Sequence, residues 1–586
     1  MRKPPERTVL TEDLKRTMSA FRSRLAHAEA LPQLAIMSLI CGLVTSAIAI
    51  AFRIAIEWPL AFSLPGGNSE NFEDLSISAR FLLPVGGSLL LCLLYSFFRE
   101  NRHRLGVSHV IERYQLHQGV FASSNMVLQF VGGAIALISG HSGGREGPAV
   151  HLGAASSSLL GQWLRLPNNS LRVLTGCGIA AAIAASFNTP LAGVIFAMEV
   201  VMMEYTVTGF IPIIIAAVTG SIICRIVFGS APAFAIPVIL ELNVWELPWL
   251  LFCGMFIGML AALLLNANKR LLRFRDYSHW WRFALVGVAT GATGTLVPEI
   301  LGLGYDTVQS ALMGAIPLAW LAVIIVAKLV LFSLTFALGV PIGGIGPMFF
   351  LGACMGGAVG LMAQTLSPDS TSNAGFYAVL GMGAMMAAAL NAPLAALVAI
   401  LELTHNPTII MPSMLVIVSA SLTARMLSRL PGLFLIGYDP ARFTSPVMQM
   451  LNRTGVASVM STNLAHHSRD IPWHKAIAIL EAKPAWIVVS DLDEPHFLLR
   501  AADLARYLSE EDTSQWPPDR LIDLRAIPAE RRQLYAIHPE ATLQEAWLLM
   551  KKENASAVYV TRPAPPLLSD VSGIITREDI EAFYQV

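Results

Sequence analysis

This 586-residue sequence is poor in charge. Only 14% of its residues are Asp, Glu, Lys or Arg, against about 25% in an ordinary soluble domain. Its 40 basic and 40 acidic residues cancel, so no global field draws it to nucleic acid. Cysteine is scarce as well. Cys41, Cys92, Cys177, Cys224, Cys253 and Cys354 sit singly within apolar runs; this excludes a thiolate metal cluster and reads as small buried hydrophobes. No HExxH or comparable ligand spacing occurs around His141, His151 or the other histidines, so no metal site is expected. An enzyme such as an intramembrane hydrolase would need a nucleophile and base, or a metal cluster, on the spanning helices; Glu146 alone stands out there, so an enzyme is not expected. A divalent-cation transporter would need several carboxylates inside the membrane, and this chain is poor in them. No short apolar region with a cleavage site precedes the first long run near Leu34, so no removed signal peptide is expected.

What fills the chain is apolar sequence: 54% hydrophobic residues and a mean hydropathy of +0.59. Blocks of this kind imply an integral, multi-pass membrane protein. Residues 34–56 and 79–98 are long enough to span. The loop between them carries Glu70, Glu73 and Asp74 without a base, which suits the outer face. Arg2, Lys3, Arg7, Lys15, Arg16, Arg22 and Arg24 in residues 1–33, the stretch from Arg99 to Arg104, and the stretch from Lys269 to Arg282 mark the cytoplasmic side.

One pattern is written twice. GGREGPAVHLGA at 143–154 returns as GGIGPMFFLGA at 343–353. Asn188-Thr189-Pro190-Leu191-Ala192 returns as Asn391-Ala392-Pro393-Leu394-Ala395, and each run leads to a lone acid, Glu199 and Glu402. Such an echo is the mark of a transporter with two structural halves. Only the first copy holds Arg145-Glu146, so a doubled scaffold carries an asymmetric site. Around both copies, from about 124 to 228 and from about 317 to 428, Gly and Pro interrupt the apolar runs, and many pieces read as too short to span. Broken helices at membrane depth are tolerated where they line a cavity, and their N-termini offer positive dipole ends to an anion.

Beyond about residue 440 the composition changes. Residues 455–586 contain no span and read as α/β with two similar halves. The first has a helix from Trp473 to Ala482 and strands Trp486–Ser490 and Phe497–Arg500. The second has a helix from Gln544 to Lys552, strands Ala557–Thr561 and Val571–Ile575, and a helix from Arg577.

On Gly144-Arg145-Glu146-Gly147-Pro148, Gly343-Gly344-Ile345-Gly346-Pro347 and the run from Phe187 to Glu199, residues 34–440 resemble the CLC family of chloride channels and chloride/proton antiporters. The resemblance implies an all-α membrane fold, an inverted repeat of tilted and broken helices. It also implies a homodimer with one chloride pathway per subunit, in the lipid bilayer of a bacterial inner membrane. Function follows as chloride transport, by a voltage-gated-type channel or a proton-coupled exchanger, with no cofactor required. Glu146 takes the place of the family's gating glutamate, a tethered carboxylate that competes for the anion site until it is protonated. The anion site would draw on Leu105, Gly106, Arg145, Gly147, Gly344, Ile345, Gly346 and Phe434. Three positions depart from the family. Leu105, or Gly106 one residue on, stands where a serine coordinates the ion. Phe434 stands where a tyrosine does, with Tyr438 the other candidate. Val200 stands where many exchangers have an inward-facing proton-relay glutamate, and Glu204 is the nearby substitute. These losses leave another anion, such as fluoride or nitrate, as the alternative. The tail resembles a regulatory, cytoplasmic CBS domain pair, with Thr576 and Asp579 at the positions that meet an adenine nucleotide. A CBS-containing membrane sensor without flux is the remaining alternative.

Overall fold

In hydrocarbon a backbone amide finds no water, so apolar runs of this length fold as helices that pair their own polar groups. The structure, a computed structural model, describes residues 25, 30–99, 103–205, 207–229, 234, 244–367, 372–438, 446–491, 494–511, 516–517, 520–561 and 571–584. The basic residues from Arg2 to Arg24 lie outside them. The helices of the apolar part are α1 (Leu31–Ser63), α2 (Ile77–Ser96), α3 (Gly106–Leu116), α4 (Ser123–Ile138), α5 (Glu146–Trp163), α6 (Asn168–Phe187), α7 (Pro190–Phe196), α8 (Val207–Phe228), α9 (Leu247–Leu271), α10 (His279–Leu296), α11 (Tyr305–Leu312), α12 (Leu318–Ala337), α13 (Ile345–Leu366), α14 (Ala374–Leu390), α15 (Pro393–Thr404) and α16 (Ile410–Ser428). Among the described residues, 8 helical stretches are long and apolar enough to cross a membrane. The chain is a multi-pass membrane protein.

The glycine-interrupted stretches do hold short pieces, Ser123–Ile138, Pro190–Met202, Ala374–Leu390 and Pro393–Thr404, but not every piece is short. α6, α8, α12 and α13 reach spanning length, and α13 runs unbroken through Gly346, Gly352, Gly356, Gly357 and Gly360. The reason is packing. A Cβ on Gly352 would strike the Gly381 carbonyl oxygen, and one on Gly153 would strike that of Gly178. These glycines let α13 cross α14, and α5 cross α6, at backbone contact. The breaks fall instead at Asn188 and Asn391, both left-handed with φ of 59° and 58°, and the prolines two residues on open α7 and α15.

The chain divides into two compact units, one of Leu34–Trp163 with Leu171–Phe443 and one of Met1–Gln33, Leu164–Ser170 and Thr444–Val586. The second unit holds the strands. After α17 (Pro446–Asn452) and α18 (Val456–Val459) come β1 (Leu464–Ser468), β2 (Asp470–Pro472), α19 (Trp473–Glu481), β3 (Trp486–Asp491), β4 (Glu494–Arg500), α20 (Ala501–Glu510), β5 (Leu521–Asp523), β6 (Arg532–Ile537), α21 (Leu543–Lys552), β7 (Ala557–Thr561), β8 (Val571–Thr576) and α22 (Arg577–Tyr584). Six strands form one sheet in the order β1-β3-β4-β6-β7-β8. In each half a parallel pair, β1 with β3 and β6 with β7, is followed by an antiparallel return, β4 and β8. β4 and β6 join the halves at Phe497–Gln533 and Leu498–Arg532. β1 and β6 were not legible in the sequence: β1 contains His466-His467 and is half-buried, and β6 opens on Arg532, which is buried against Glu578.

Candidate functional site

The two copies of the glycine motif meet. Gly144 N–H donates to the Gly343 carbonyl at 2.9 Å, and Gly343 N–H donates back to Gly144 at 2.7 Å. Such reciprocity is what a two-fold relation between halves produces. The approach needs glycine: a Cβ on Gly147 would overlap the Gly343 Cα, and a Cβ on Gly343 would overlap the Gly147 nitrogen. The N-termini of α5 and α13 therefore converge, and with them two sets of unpaired N–H groups and two positive dipole ends.

Glu146 is the first residue of α5 and is fully buried. Its Oε1 accepts the Tyr305 hydroxyl. Its Oε2 has no hydrogen-bond partner among the described residues, and a Cβ on Gly346 would lie 3.0 Å from that oxygen. The carboxylate thus points to the start of α13, the place where two helix N-termini favour negative charge. Arg145 is committed elsewhere, to Glu57 Oε1, which also takes Arg53 Nε at 2.8 Å. Its own Nε stands 4.0 Å from Glu146 Oε1. The contact exists although neighbours on a helix do not face each other, because only Glu146 of the two is helical.

Leu105 is the N-cap of α3 and is buried. Gly106 follows in a left-handed conformation with φ of 73°. Its N–H donates to Gln129 Oε1 at 2.8 Å, and Gln129 Nε2 donates to the Pro341 carbonyl at 3.2 Å. Through Gln129, the start of α3 is tied to the loop leading into Gly343 and Gly344. Phe434 is buried in a 3-10 turn, Leu433–Leu435. A Cβ on Gly344 would meet Leu433 at 3.1 Å and Phe434 at 3.4 Å. The structure therefore gathers Arg145, Glu146, Gly147, Gly344, Ile345, Gly346 and Phe434 at one point. The Tyr438 hydroxyl donates to Glu112 Oε2 at 3.0 Å.

Val200 is buried in a π-helical turn, Ala197–Met202. The acids around it are engaged. Glu199 accepts from Leu394 N–H at 3.1 Å and Ala395 N–H at 2.7 Å, at the start of α15. Glu402 accepts from Leu191 N–H at 2.9 Å and Ala192 N–H at 2.8 Å, at the start of α7. Each half of the repeat caps the other. Glu204 accepts from Arg172 Nη2 at 3.4 Å and from the Tyr114 hydroxyl at 3.3 Å.

Residues 86–425 match the voltage gated chloride channel family. The chain belongs to the CLC family. It is 33% identical to a ClcB-like chloride channel protein of Ralstonia nicotianae over 404 residues, 66% of this chain and 93% of that one. It is 28% identical to the H+/Cl− exchange transporter ClcA of Salmonella agona over 412 residues, 67% of this chain and 86% of that one. A eukaryotic CLC transporter structure covers 96% of this chain and 98% of its own at a TM-score of 0.56 and 18% identity, a likeness of fold.

Within this CLC fold, three residues at the site were not read from the sequence. Tyr305 lies 159 positions from the carboxylate it holds, and nothing local announces it. Gln129 looked like one more polar residue in an apolar helix. Lys328 did carry a signal, as a lone charge in the apolar run of α12; it is fully buried and donates to the Ile300 carbonyl at 3.0 Å, fixing the loop that leads to Tyr305. A cavity of about 500 Å³ reaches Arg145 and Tyr305 and is also lined by Glu57, Glu70 and Asp306. Glu70 Oε2 accepts from Asp306 N–H at 3.1 Å, capping α11. Burial, with Asp306 nearby, pushes the Glu70 carboxyl up to about 7, and Arg145 partly offsets this. Burial and Asp306 raise Glu73 as well.

Thr576 and Asp579 satisfy each other at the start of α22. Asp579 Oδ2 accepts Thr576 N–H at 2.8 Å and its hydroxyl at 2.7 Å, and Thr576 Oγ1 accepts Asp579 N–H at 3.2 Å, a reciprocal helix cap. His141 is held between Ser88 and Ser139, and His151 bonds His109 Nδ1 at 2.9 Å. Among the described residues no group of three or more His, Cys, Asp or Glu could hold a metal ion.

Proposed function

We propose that this CLC-family chain carries chloride across the membrane, with Glu146 as its gate. One observation carries the reading: a fully buried carboxylate with one unpartnered oxygen lies against Gly346, where two helix N-termini converge. That is a place for an anion, and Glu146 fills it as a tethered competitor. Helix dipoles and backbone N–H groups hold an ion without the trapping that a full positive charge would cause. Protonation neutralises the carboxylate and releases it. The names of the ClcB-like and ClcA relatives support chloride as the ion, and transport rather than catalysis as the activity. Proton exchange has the ClcA relative's name behind it. Val200, without a proton-carrying group, favours passive conduction.

The reading includes a homodimer in a bacterial inner membrane, cytoplasmic termini, and no nucleic-acid partner. It treats the second unit as a regulatory CBS pair. Its two matching halves support that assignment, and Thr576 with Asp579 would take the phosphate and ribose of an adenine nucleotide, exchanging their mutual cap for the ligand. ATP titration of wild type and Asp579→Ala tests this.

The transport test is a flux recording from proteoliposomes loaded with chloride, following external chloride and pH together. Chloride efflux with uphill proton uptake makes the protein an exchanger; efflux alone makes it a channel. In either case Glu146→Gln is expected to conduct chloride with no pH dependence; chloride flux that keeps the wild-type pH dependence, or in an exchanger proton transport at the wild-type rate, would remove Glu146 from the gate. A second reading, fluoride or nitrate as the ion, is favoured by the missing hydroxyls at Leu105 and Phe434. It predicts flux of those ions without chloride flux in the same vesicles.

A further inference from the structure

Two basic stretches that served the sequence analysis only as markers of one membrane side converge in space. Arg104 and His103 from the first, and Arg275, Arg282 and His279 from the second, line one chamber of about 640 Å³, and Asp276 is the one acid among its lining residues. The guanidinium groups differ in what they already hold. Arg104 Nη1 donates to Glu112 at 2.6 Å. Arg282 Nη1 donates to the Leu338 carbonyl at 2.8 Å, while its Nε is buried without a partner. Arg275 has no hydrogen bond or ion pair among the described residues, and what acts on it is burial and charge at a distance. Arg275 and Arg282 also lie close to one another. A Cβ on Gly339, at φ of 84°, would sit 3.3 Å from Arg282 Nη1 and 3.5 Å from Arg275 Nε. Gly339 leaves the space between them open.

Two enclosed like charges repel, and each loses hydration; an anion between them removes both costs. The chamber is far larger than one halide ion. A guanidinium presents its donors as a planar fork that fits two oxygens of a phosphate at once. We propose that this chamber binds a phosphate group between Arg275 and Arg282, either as free phosphate or as the headgroup of an anionic lipid. The proposal goes beyond the transport reading, since it requires no ion flux.

The test uses the full-length protein in a neutral detergent, titrated with inorganic phosphate at constant ionic strength and followed by thermal unfolding and calorimetry. Saturable stabilisation is expected. Arg275→Gln should weaken it by about ten-fold or more, as loss of charge-assisted hydrogen bonds implies. Arg275 is the residue to change because it has no partner to lose, and Arg275→Lys, which keeps the charge but not the fork, should fall between. In a second arm, bilayer discs of phosphatidylcholine with and without phosphatidic acid are examined by native mass spectrometry. Phosphatidic acid retained by wild type and lost from Arg275→Gln, without a response to free phosphate, assigns the lipid headgroup. Equal stabilisation by chloride would make the chamber a general anion vestibule and overturn the proposal. So would unchanged binding of both probes to Arg275→Gln. Phosphate binding in a protein that moves no chloride counts against the transport reading alone.

Discussion

Glu146 and Tyr305 show how much a single hydrogen bond can decide. The phenol donates to one carboxylate oxygen and leaves the other at the start of α13. A hydrogen bond to a charged group contributes about 1.5–3 kcal/mol, so Tyr305 biases the carboxylate toward the blocked position. Tyr305→Phe is expected to raise chloride flux at neutral pH by about ten-fold. Vesicle efflux measures this, and a flux equal to wild type would reduce Tyr305 to a packing residue. Leu105 and Phe434 add no hydroxyl to the site, which shifts more of the donation onto backbone N–H groups. One of these, on Gly106, is already taken by Gln129.

At the scale of elements, the repeat stabilises itself by exchange. α7 has only 7 residues, too few to persist alone, and its first N–H groups go to Glu402 from the other half. Glu199 does the same for α15. Loss of such a cap costs about 1 kcal/mol. Glu402→Ala and Glu199→Ala should therefore lower stability by similar amounts, read as the thermal midpoint in detergent. A large effect from one and none from the other would contradict the equivalence of the two caps. These acids stood out in the sequence as a pair, one at the end of each repeated run. Which helix each one caps was not legible, because Glu199 and the amides that donate to it are separated by 195 and 196 positions.

At the scale of the whole molecule, the two units respond to acid in opposite directions. Burial raises Glu70 from the ordinary 4.5 to about 7. Its contribution to stability is complete below about 4.5 and is lost as pH rises through about 7. Thermal midpoints of the apolar unit should fall across that window, and Glu70→Gln should flatten the fall. Asp523, in the second unit, is held down from 3.8 to about 2 by Arg469. Its contribution is present above 3.8 and is lost as pH falls through about 2; it is small, because the pair is at the surface. Unfolding followed from pH 2 to 8 separates the two.

The sequence by itself determined the membrane class, the doubling, and the charged Arg145-Glu146 pair that only one copy carries. Each is a local property: hydropathy over a window, a repeated string, a charge in an apolar run. Only the tertiary structure decided that Tyr305 holds Glu146, that Gln129 joins α3 to the loop before Gly343, and that Arg275 meets Arg282 across an open chamber. Hydrophobic period and composition encode how a segment is solvated. They do not encode which distant loop it meets, and every one of these contacts is made between elements that the chain brings together only when the whole unit packs.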